Sequence, residues 1–297
     1  MLVPKQQRPL KFLFLHFPKI LREDAWVPPT IIGIIALIIH DELSSKNILL
    51  VIGLTIGFSL AYVVNDYFDA EADQHDELKS ENNFFVHNSI SKQIAVVTTL
   101  SIIMILFIIF VNFGYSGIIL LAISLLMIFL YSSPKINLKS KPPFDILAHS
   151  IFIHTFPFFL VLYLIIGNFE VIDFFIMVVL FIASFIIQLE NQVRDYNLDI
   201  VTSFNSTISW GLETSIRLIK ITSFMLSIFT VILFLFFEEL RFLIPYGLIY
   251  SPVIFQRLWF VQNTVRSPNF IRNLGILGII YTIVLVIQTV YTRFIIL

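Results

Sequence analysis

Apolar residues occur along this chain in long blocks, and the polar residues gather in the gaps between them. A block of about 18 or more apolar residues, coiled as a helix, is long enough to cross the roughly 30 Å hydrocarbon core of a bilayer. Nine blocks are predicted as helical spans, roughly at 25–40, 47–66, 92–112, 115–132, 145–166, 171–192, 216–237, 241–260 and 271–291. Short breaks at 41–46, 112–117, 167–170 and 238–241 alternate with longer loops at 67–91, 133–144, 193–215 and 261–270. The pattern predicts an all-α, polytopic membrane protein of nine transmembrane helices. Residues 1–24 mix Lys5, Arg8, Lys11, Lys19 and Arg22 with Phe and Leu. They suit a cytoplasmic segment lying in the membrane interface, or a basic flank that only sets orientation. Residues 25–297 then form one membrane domain, with a weak internal duplication of about four helices. The start of the chain lacks a short apolar core with a small-residue cleavage site, so the first span is expected to act as the insertion signal.

Charge placement orients this arrangement. Nine spans put the N-terminus and all the longer loops on one side, which collects 16 of the 19 Lys and Arg residues. Lys46, Arg241 and Arg293 fall on the other. Basic residues concentrate on the cytoplasmic face, so the long loops are expected there.

Composition narrows the classes of function. The chain is 58% hydrophobic and only 13% charged, against about 25% charged in soluble domains. A net charge of −1 gives no electrostatic case for a nucleic-acid partner. Without cysteine there is no disulfide, thiol catalysis or Cys-based metal site. Neither a GxGxxG turn nor a P-loop is present.

The chemistry gathers at Asn65-Asp66-Tyr67-Phe68-Asp69-Ala70-Glu71-Ala72-Asp73, where a long apolar run should meet water. Residues three, four and seven apart share a helix face. Asp66, Asp69 and Asp73 therefore project together, beside Asn65. Like charges so crowded repel, and a hard cation such as Mg²⁺ relieves that, taking a few carboxylates along with water and phosphate oxygens. The spacing recurs: Asn191, Asp195 and Asp199 repeat Asn65, Asp69 and Asp73, again closing a long apolar run. Two such sets are able to hold two or three Mg²⁺ around one diphosphate. The plain alternative is that all five aspartates merely end helices in water. A faint echo follows each cluster, at 88–91 and 205–209.

These residues resemble known motifs. Asn65-Asp66-x-x-Asp69-x-x-x-Asp73 looks like the NDxxDxxxD motif of the UbiA superfamily of intramembrane prenyltransferases. Asn191 to Asp199 resembles that family's second aspartate motif in a variant form, NxxRDxxxD. Tyr131-Ser132-Ser133-Pro134-Lys135-Ile136-Asn137-Leu138-Lys139 is similar to its YSxPPxRLK loop. Gly211, after Thr207, sits where the family often has a T…LG element. The resemblance covers roughly residues 20–290. Two departures stand out. Residues 82–91 lack the Pro and Gly of the family's RPxxxGxIS-like stretch and have no Lys or Arg, and Lys135 and Asn137 replace the second Pro and the Arg of the loop.

The resemblance implies a helical bundle around a central cavity open to the cytoplasmic side. It implies Mg²⁺-dependent transfer of a prenyl group from a polyprenyl diphosphate donor to a lipophilic acceptor within the bilayer. Asp66, Asp69, Asp73, Asp195 and Asp199 become the catalytic metal ligands, with Asn65 and Asn191 alongside. Lys79, Lys139, Arg194 and Tyr131 become candidate substrate contacts, Arg194 having a salt bridge to its neighbours as the alternative. Asp76 and Glu77 are alternative ligands, and Tyr67 and Tyr196 are candidates to face a developing carbocation. Glu190 is a candidate to bind metal or orient the acceptor, or is a plain interfacial carboxylate. Asp145 reads as a helix N-cap. His149 and His154, five apart, do not share a helix face, and one of them is a candidate acceptor contact. Other functions remain open: a membrane phosphotransfer enzyme, whose motifs usually carry Gly; a transporter with an aspartate ion site, which would more usually bind at the midplane; or a weakened family member with a binding role.

Overall fold

The apolar blocks contain few residues that oppose a helix, so in lipid, where every backbone N–H and C=O must be satisfied within its own segment, they coil. A computed structural model of the protein describes residues 23–74, 80–81, 83–87, 92–259 and 268–292. The basic N-terminal segment, residues 1–22, lies outside the described residues. In chain order the helices are α1 (Glu23–Ile39), α2 (Ser45–Asp73), α3 (Phe84–His87), α4 (Lys92–Val111) and α5 (Gly114–Ser132). After a 3₁₀ turn at Leu138–Ser140 come α6 (Phe144–Ile166), α7 (Val171–Arg194), α8 (Tyr196–Thr202), α9 (Ser206–Trp210) and α10 (Leu212–Phe236). A second 3₁₀ turn, Glu238–Leu243, leads into α11 (Ile244–Trp259) and α12 (Pro268–Tyr291).

The span count differs from the sequence expectation. Among the described residues six helices are long and apolar enough to cross a membrane: Ser45–Asp73, Gly114–Ser132, Phe144–Ile166, Val171–Arg194, Leu212–Phe236 and Arg272–Tyr291. The expectation of nine helices of that length is therefore corrected to six among the described residues, by length and composition. Trp26–Ile39 and Ala95–Val111 are apolar but shorter. The block at 241–260 is shared between two elements, because the second 3₁₀ turn takes up Phe242 and Leu243 and leaves α11 with 16 residues and an internal Pro252. At 1.5 Å per residue such a helix reaches about 24 Å, short of the hydrocarbon core. The protein is still an integral, multi-pass membrane protein. Large apolar side chains such as Met104, Ile108, Leu235, Phe236 and Ile287 stay more than half exposed, which water would penalise and lipid does not.

Helix α6 departs from regular geometry at two places. Pro157 has no N–H and its ring crowds the preceding turn, and α6 widens into a π turn at Ile151–Thr155 just before it. A second π turn at Leu162–Ile166 ends where Gly167 takes φ +77 and its N–H reaches Leu162 O at 2.9 Å. Between α4 and α5 the chain turns so tightly that a Cβ at Gly117 would sit 2.3 Å from Phe110 O.

The chain divides into two compact units. One takes the described parts of 1–28 and 52–136. Its core is Leu54, Leu60 and Val64 of α2, Phe84 of α3, Leu106, Ile109 and Phe110 of α4, and Leu120 and Leu121 of α5. The other takes 29–51 and the described parts of 137–297. There Ile146, Ile186, Leu189, Ile219 and Leu226 form a buried cluster, with Trp210 packed against it. Ser184, Ser215 and Ser223 are fully buried, small enough to let α7 and α10 approach closely. At the start of α7, Glu170 and Asp173 form a capping box, and the fully buried Asp173 also meets His40 Nε2 at 2.9 Å. Near the other end of α7, Glu190 accepts from Arg257 of α11 in a two-pronged ion pair, Nε to Oε1 and a terminal nitrogen to Oε2, both 2.8 Å. Arg257 is 6% exposed.

Removing one partner of a buried ion pair strands the other charge. Arg257→Met is therefore expected to lower stability by about 3–5 kcal/mol, and the Glu190→Gln/Arg257→Met double variant by less than the sum of the singles. Unfolding midpoints in detergent, compared across the four proteins, check this; additive losses would contradict it.

Candidate active site

The first acidic row lies within the helix that carries the apolar run and closes it. α2 runs through Asn65 to Asp73, so Asp66, Asp69 and Asp73 occupy its last turns. The Asn65 side chain sits in a relay: its Oδ1 accepts from Ser132 Oγ at 3.2 Å, and its Nδ2 donates to Asp69 Oδ2 at 2.9 Å. Ser132 belongs to the Tyr131–Lys139 stretch, which is thereby tied to the acidic helix. Asn83 closes the row from the other side. Its Nδ2 donates to Asp73 Oδ2 at 2.8 Å and to the backbone carbonyl of Asp66 at 2.8 Å, and its Oδ1 accepts from Phe85 N at 2.9 Å, which starts α3. Tyr67 meets Phe68 and Phe85 edge-on, both at 5.6 Å, packing α3 onto the motif. The start of α3 is thus pinned to the row by the Asn83 amide.

The second row straddles a break. α7 stops at Arg194, Asp195 takes φ −88 and ψ 4, and α8 begins at Tyr196. Helical hydrogen bonding nonetheless continues across the break, from Asp195 N to Asn191 O at 3.0 Å and from Asp199 N to Asp195 O at 2.9 Å. Asn205 repeats the part played by Asn83. Its Nδ2 donates to Asp199 Oδ2 at 2.7 Å, and its Oδ1 accepts from Ile208 N at 3.0 Å as the N-cap of α9. In each row the final aspartate is held by an asparagine that also starts the next short helix.

The other expected residues are placed as follows. Arg194 donates Nε to its neighbour Asp195 at 2.9 Å, with its side chain about half exposed. Tyr131 is half-buried in the last turn of α5, Lys139 is half-buried in the 3₁₀ turn, and Tyr196 is half-buried at the start of α8. Lys79, Asp76 and Glu77 lie outside the described residues. Glu190 is engaged with Arg257. Asp145 does not cap its own helix: the residue preceding α6 is Pro143, and the Asp145 carboxylate instead accepts from Ser206 N at 2.7 Å, at the start of α9. The His149 ring lies 3.2 Å from Ser184 Oγ, and His154 sits in the π turn with its Nδ1 buried and lacking a hydrogen-bond partner. Gly211 takes φ +86 and ψ 149, a conformation essentially reserved for glycine, and joins α9 to α10.

Sequence reasoning missed Asn83 and Asn205. A signal was present: an asparagine a few residues past each acidic row, directly before a short helix, is the pattern of an N-cap.

Among the described residues no three His, Cys, Asp or Glu side chains form a ready-made metal cage. The donor set nevertheless suits Mg²⁺, which takes one or two carboxylates from the protein and completes its octahedron with water and substrate phosphate. The donors are all oxygen. The amides of Asn65, Asn83 and Asn205 orient carboxylates without cancelling their charge.

The family model for the UbiA prenyltransferase family matches residues 26–273. Among solved structures, a UbiA homolog from Archaeoglobus fulgidus bound to DMAPP and Mg²⁺ is similar with a TM-score of 0.71 at 18% identity, over 91% of this chain and 98% of that one. The same homolog bound to GPP and Mg²⁺ gives 0.71 at 19%, with the same coverage. Bound to Cd²⁺ it gives 0.66 at 18%, over 93% and 98%. No curated protein matches the chain by sequence.

Asn83→Ala and Asn205→Ala each remove an amide that fixes a carboxylate. Each is expected to weaken Mn²⁺ binding by about 10–100-fold while leaving the helical circular dichroism unchanged. Calorimetric titration of the detergent-solubilised protein reads this directly; wild-type affinity in both variants would contradict it.

Proposed function

Because this chain belongs to the UbiA prenyltransferase family, we propose that it catalyses Mg²⁺-dependent transfer of a prenyl group from a polyprenyl diphosphate to a lipophilic acceptor in the membrane. The observation that supports this most is the twice-built acidic row, each closing on an aspartate held by an asparagine amide. A mere helix end in water has no need of such a repeated fixture. The solved relatives bound to DMAPP or GPP with Mg²⁺ are in keeping with a prenyl diphosphate as donor.

In this reading Asp66, Asp69, Asp73, Asp195 and Asp199 hold the metal, with Asn65 and Asn191 orienting them. Bound Mg²⁺ supplies positive charge that stabilises the departing diphosphate. Asn65, fixed by Ser132, keeps the Asp69 carboxylate turned to one side. Asn83 and Asn205 do the same for Asp73 and Asp199. Lys79, Lys139 and Arg194 provide cationic donors to diphosphate oxygens, and Tyr131 a hydroxyl. Tyr67 and Tyr196 are placed by sequence inside the rows, where a ring face favours a developing carbocation. The donor's C–O bond breaks with its electron pair leaving on the diphosphate. The allylic carbon is then captured by the acceptor's nucleophile, whose proton departs to a base.

The orientation with the rows at the cytoplasmic side is part of the proposal. It rests on the basic residues flanking the motif-bearing loops, among them Lys79, Lys92, Lys135, Lys139, Lys141, Arg194, Arg217 and Lys220.

The test uses membranes containing the protein, Mg²⁺, radiolabelled farnesyl or geranylgeranyl diphosphate and a lipid extract. Labelled lipid and released diphosphate are expected from the wild type, and at least about 100-fold less from Asp69→Ala and Asp195→Ala. Equal transfer by the variants would show that other residues carry the chemistry.

A further inference from the structure

Asp145 is fully buried at the start of α6, eleven positions along from the Tyr131–Lys139 loop's Pro134, and it belongs to neither acidic row. A carboxylate with no exposure is expensive to keep in a membrane protein and calls for a reason. Its partners supply one. Oδ2 accepts from Gln192 Nε2 at 2.7 Å and from Ser206 N at 2.7 Å, and Oδ1 accepts from Ser206 Oγ at 2.5 Å. Gln192 Oε1 in turn accepts from Thr207 N at 3.0 Å and Thr207 Oγ1 at 3.2 Å. Gln192, Ser206 and Thr207 are all buried. One closed network therefore ties the start of α6, the motif-bearing end of α7 and the start of α9.

Two of the tied residues adjoin the second acidic row directly. Gln192 lies inside it, between Asn191 and Asp195. Ser206 follows Asn205, whose amide holds Asp199. The stretch from Asp195 to Asn205 is short and contains the break at Asp195 and an extended Ser203, φ −146 and ψ 173. Such a segment holds its shape only if both ends are fixed, and the network fixes both.

We propose that Asp145 is a positioning residue for the second metal-binding row. It anchors Ser206 and Gln192 so that Asn205 presents the Asp199 carboxylate, and Asp195 with it, to a divalent cation. The inference rests on the function proposed above. It assigns Asp145 no contact with metal or substrate. Removing the carboxylate leaves Gln192 Nε2 and Ser206 N without their acceptor, and the segment between them loosens.

Mn²⁺ binding to the full-length protein in detergent, followed by electron paramagnetic resonance, tests this. A structural role alone would be matched by a control: Asp173 is equally buried but lies about 33 Å from Asp195 along α7 at 1.5 Å per residue. Asp145→Ala is expected to weaken Mn²⁺ binding by about 10–100-fold, whereas Asp173→Ala leaves it at the wild-type value. Asp145→Asn, whose Oδ1 can accept from Gln192 and Ser206 N while its amide donates to Ser206 Oγ, is expected to restore most of the affinity. Hydrogen exchange is expected to quicken at 196–210 in Asp145→Ala and to return in Asp145→Asn. Should Asp145→Ala fail to fold, Ser206→Ala decides, with about a fivefold weakening expected for loss of one hydrogen bond. Unchanged binding in Asp145→Ala, or in Ser206→Ala where that variant decides, overturns the inference. So does an equal loss in Asp145→Ala and Asp173→Ala. A wild-type protein that binds no Mn²⁺ would instead sink the proposed function, and this inference with it.

Discussion

A carboxylate at the end of an apolar helix has to be held by something. Water cannot surround it fully, lipid rejects it, and neighbouring carboxylates repel it. The protein meets this constraint at Asp195 with the neighbouring Arg194, and at three other aspartates with neutral amides. Asn65 donates to Asp69, Asn83 to Asp73 and Asn205 to Asp199. An amide fixes the direction of a carboxylate and leaves its negative charge in place, whereas a lysine or arginine would compensate that charge. Amide-held carboxylates are thus suited to a hard cation arriving with an anionic substrate.

The same constraint shapes the surroundings of each row. Asn65 is itself oriented by Ser132, so the last residue of α5 takes part in setting Asp69. Asn83 and Asn205 both start a short helix with the oxygen of the amide whose nitrogen holds the aspartate. The two units solve one problem twice with the same residue type. The second adds a buried layer beneath, Asp145 with Gln192, Ser206 and Thr207, and a buried ion pair between Glu190 and Arg257 one residue before Asn191. Polar groups that look unrelated in sequence are thereby gathered at one end of α7.

The repeated spacing of the acidic rows is visible in the sequence. The all-helical membrane class was legible there, because it follows from unbroken apolar blocks. The number of spanning helices was not legible. Apolar composition does not distinguish a residue inside a long helix from one in a 3₁₀ turn, and Phe242 and Leu243 are apolar yet shorten α11. Nor was the end of α2 visible: the predicted span closes at 66, but the helix carries on through Asp73. Asn83, Asn205 and Asp145 were hidden for another reason. Their roles depend on partners 10, 6 and 61 residues away, and no local periodicity reports a contact of that kind. Asp145 did carry a capping signal, but its carboxylate accepts from Ser206 N at the start of α9.

The central claim is that the acidic rows bind a divalent cation in the presence of a diphosphate. The most direct measurement is the amount of Mn²⁺ retained per chain in the presence of inorganic pyrophosphate, in the wild type and in Asp69→Asn and Asp195→Asn. The account predicts pyrophosphate-promoted retention in the wild type and a marked fall in each variant. Wild-type retention in both variants would contradict it.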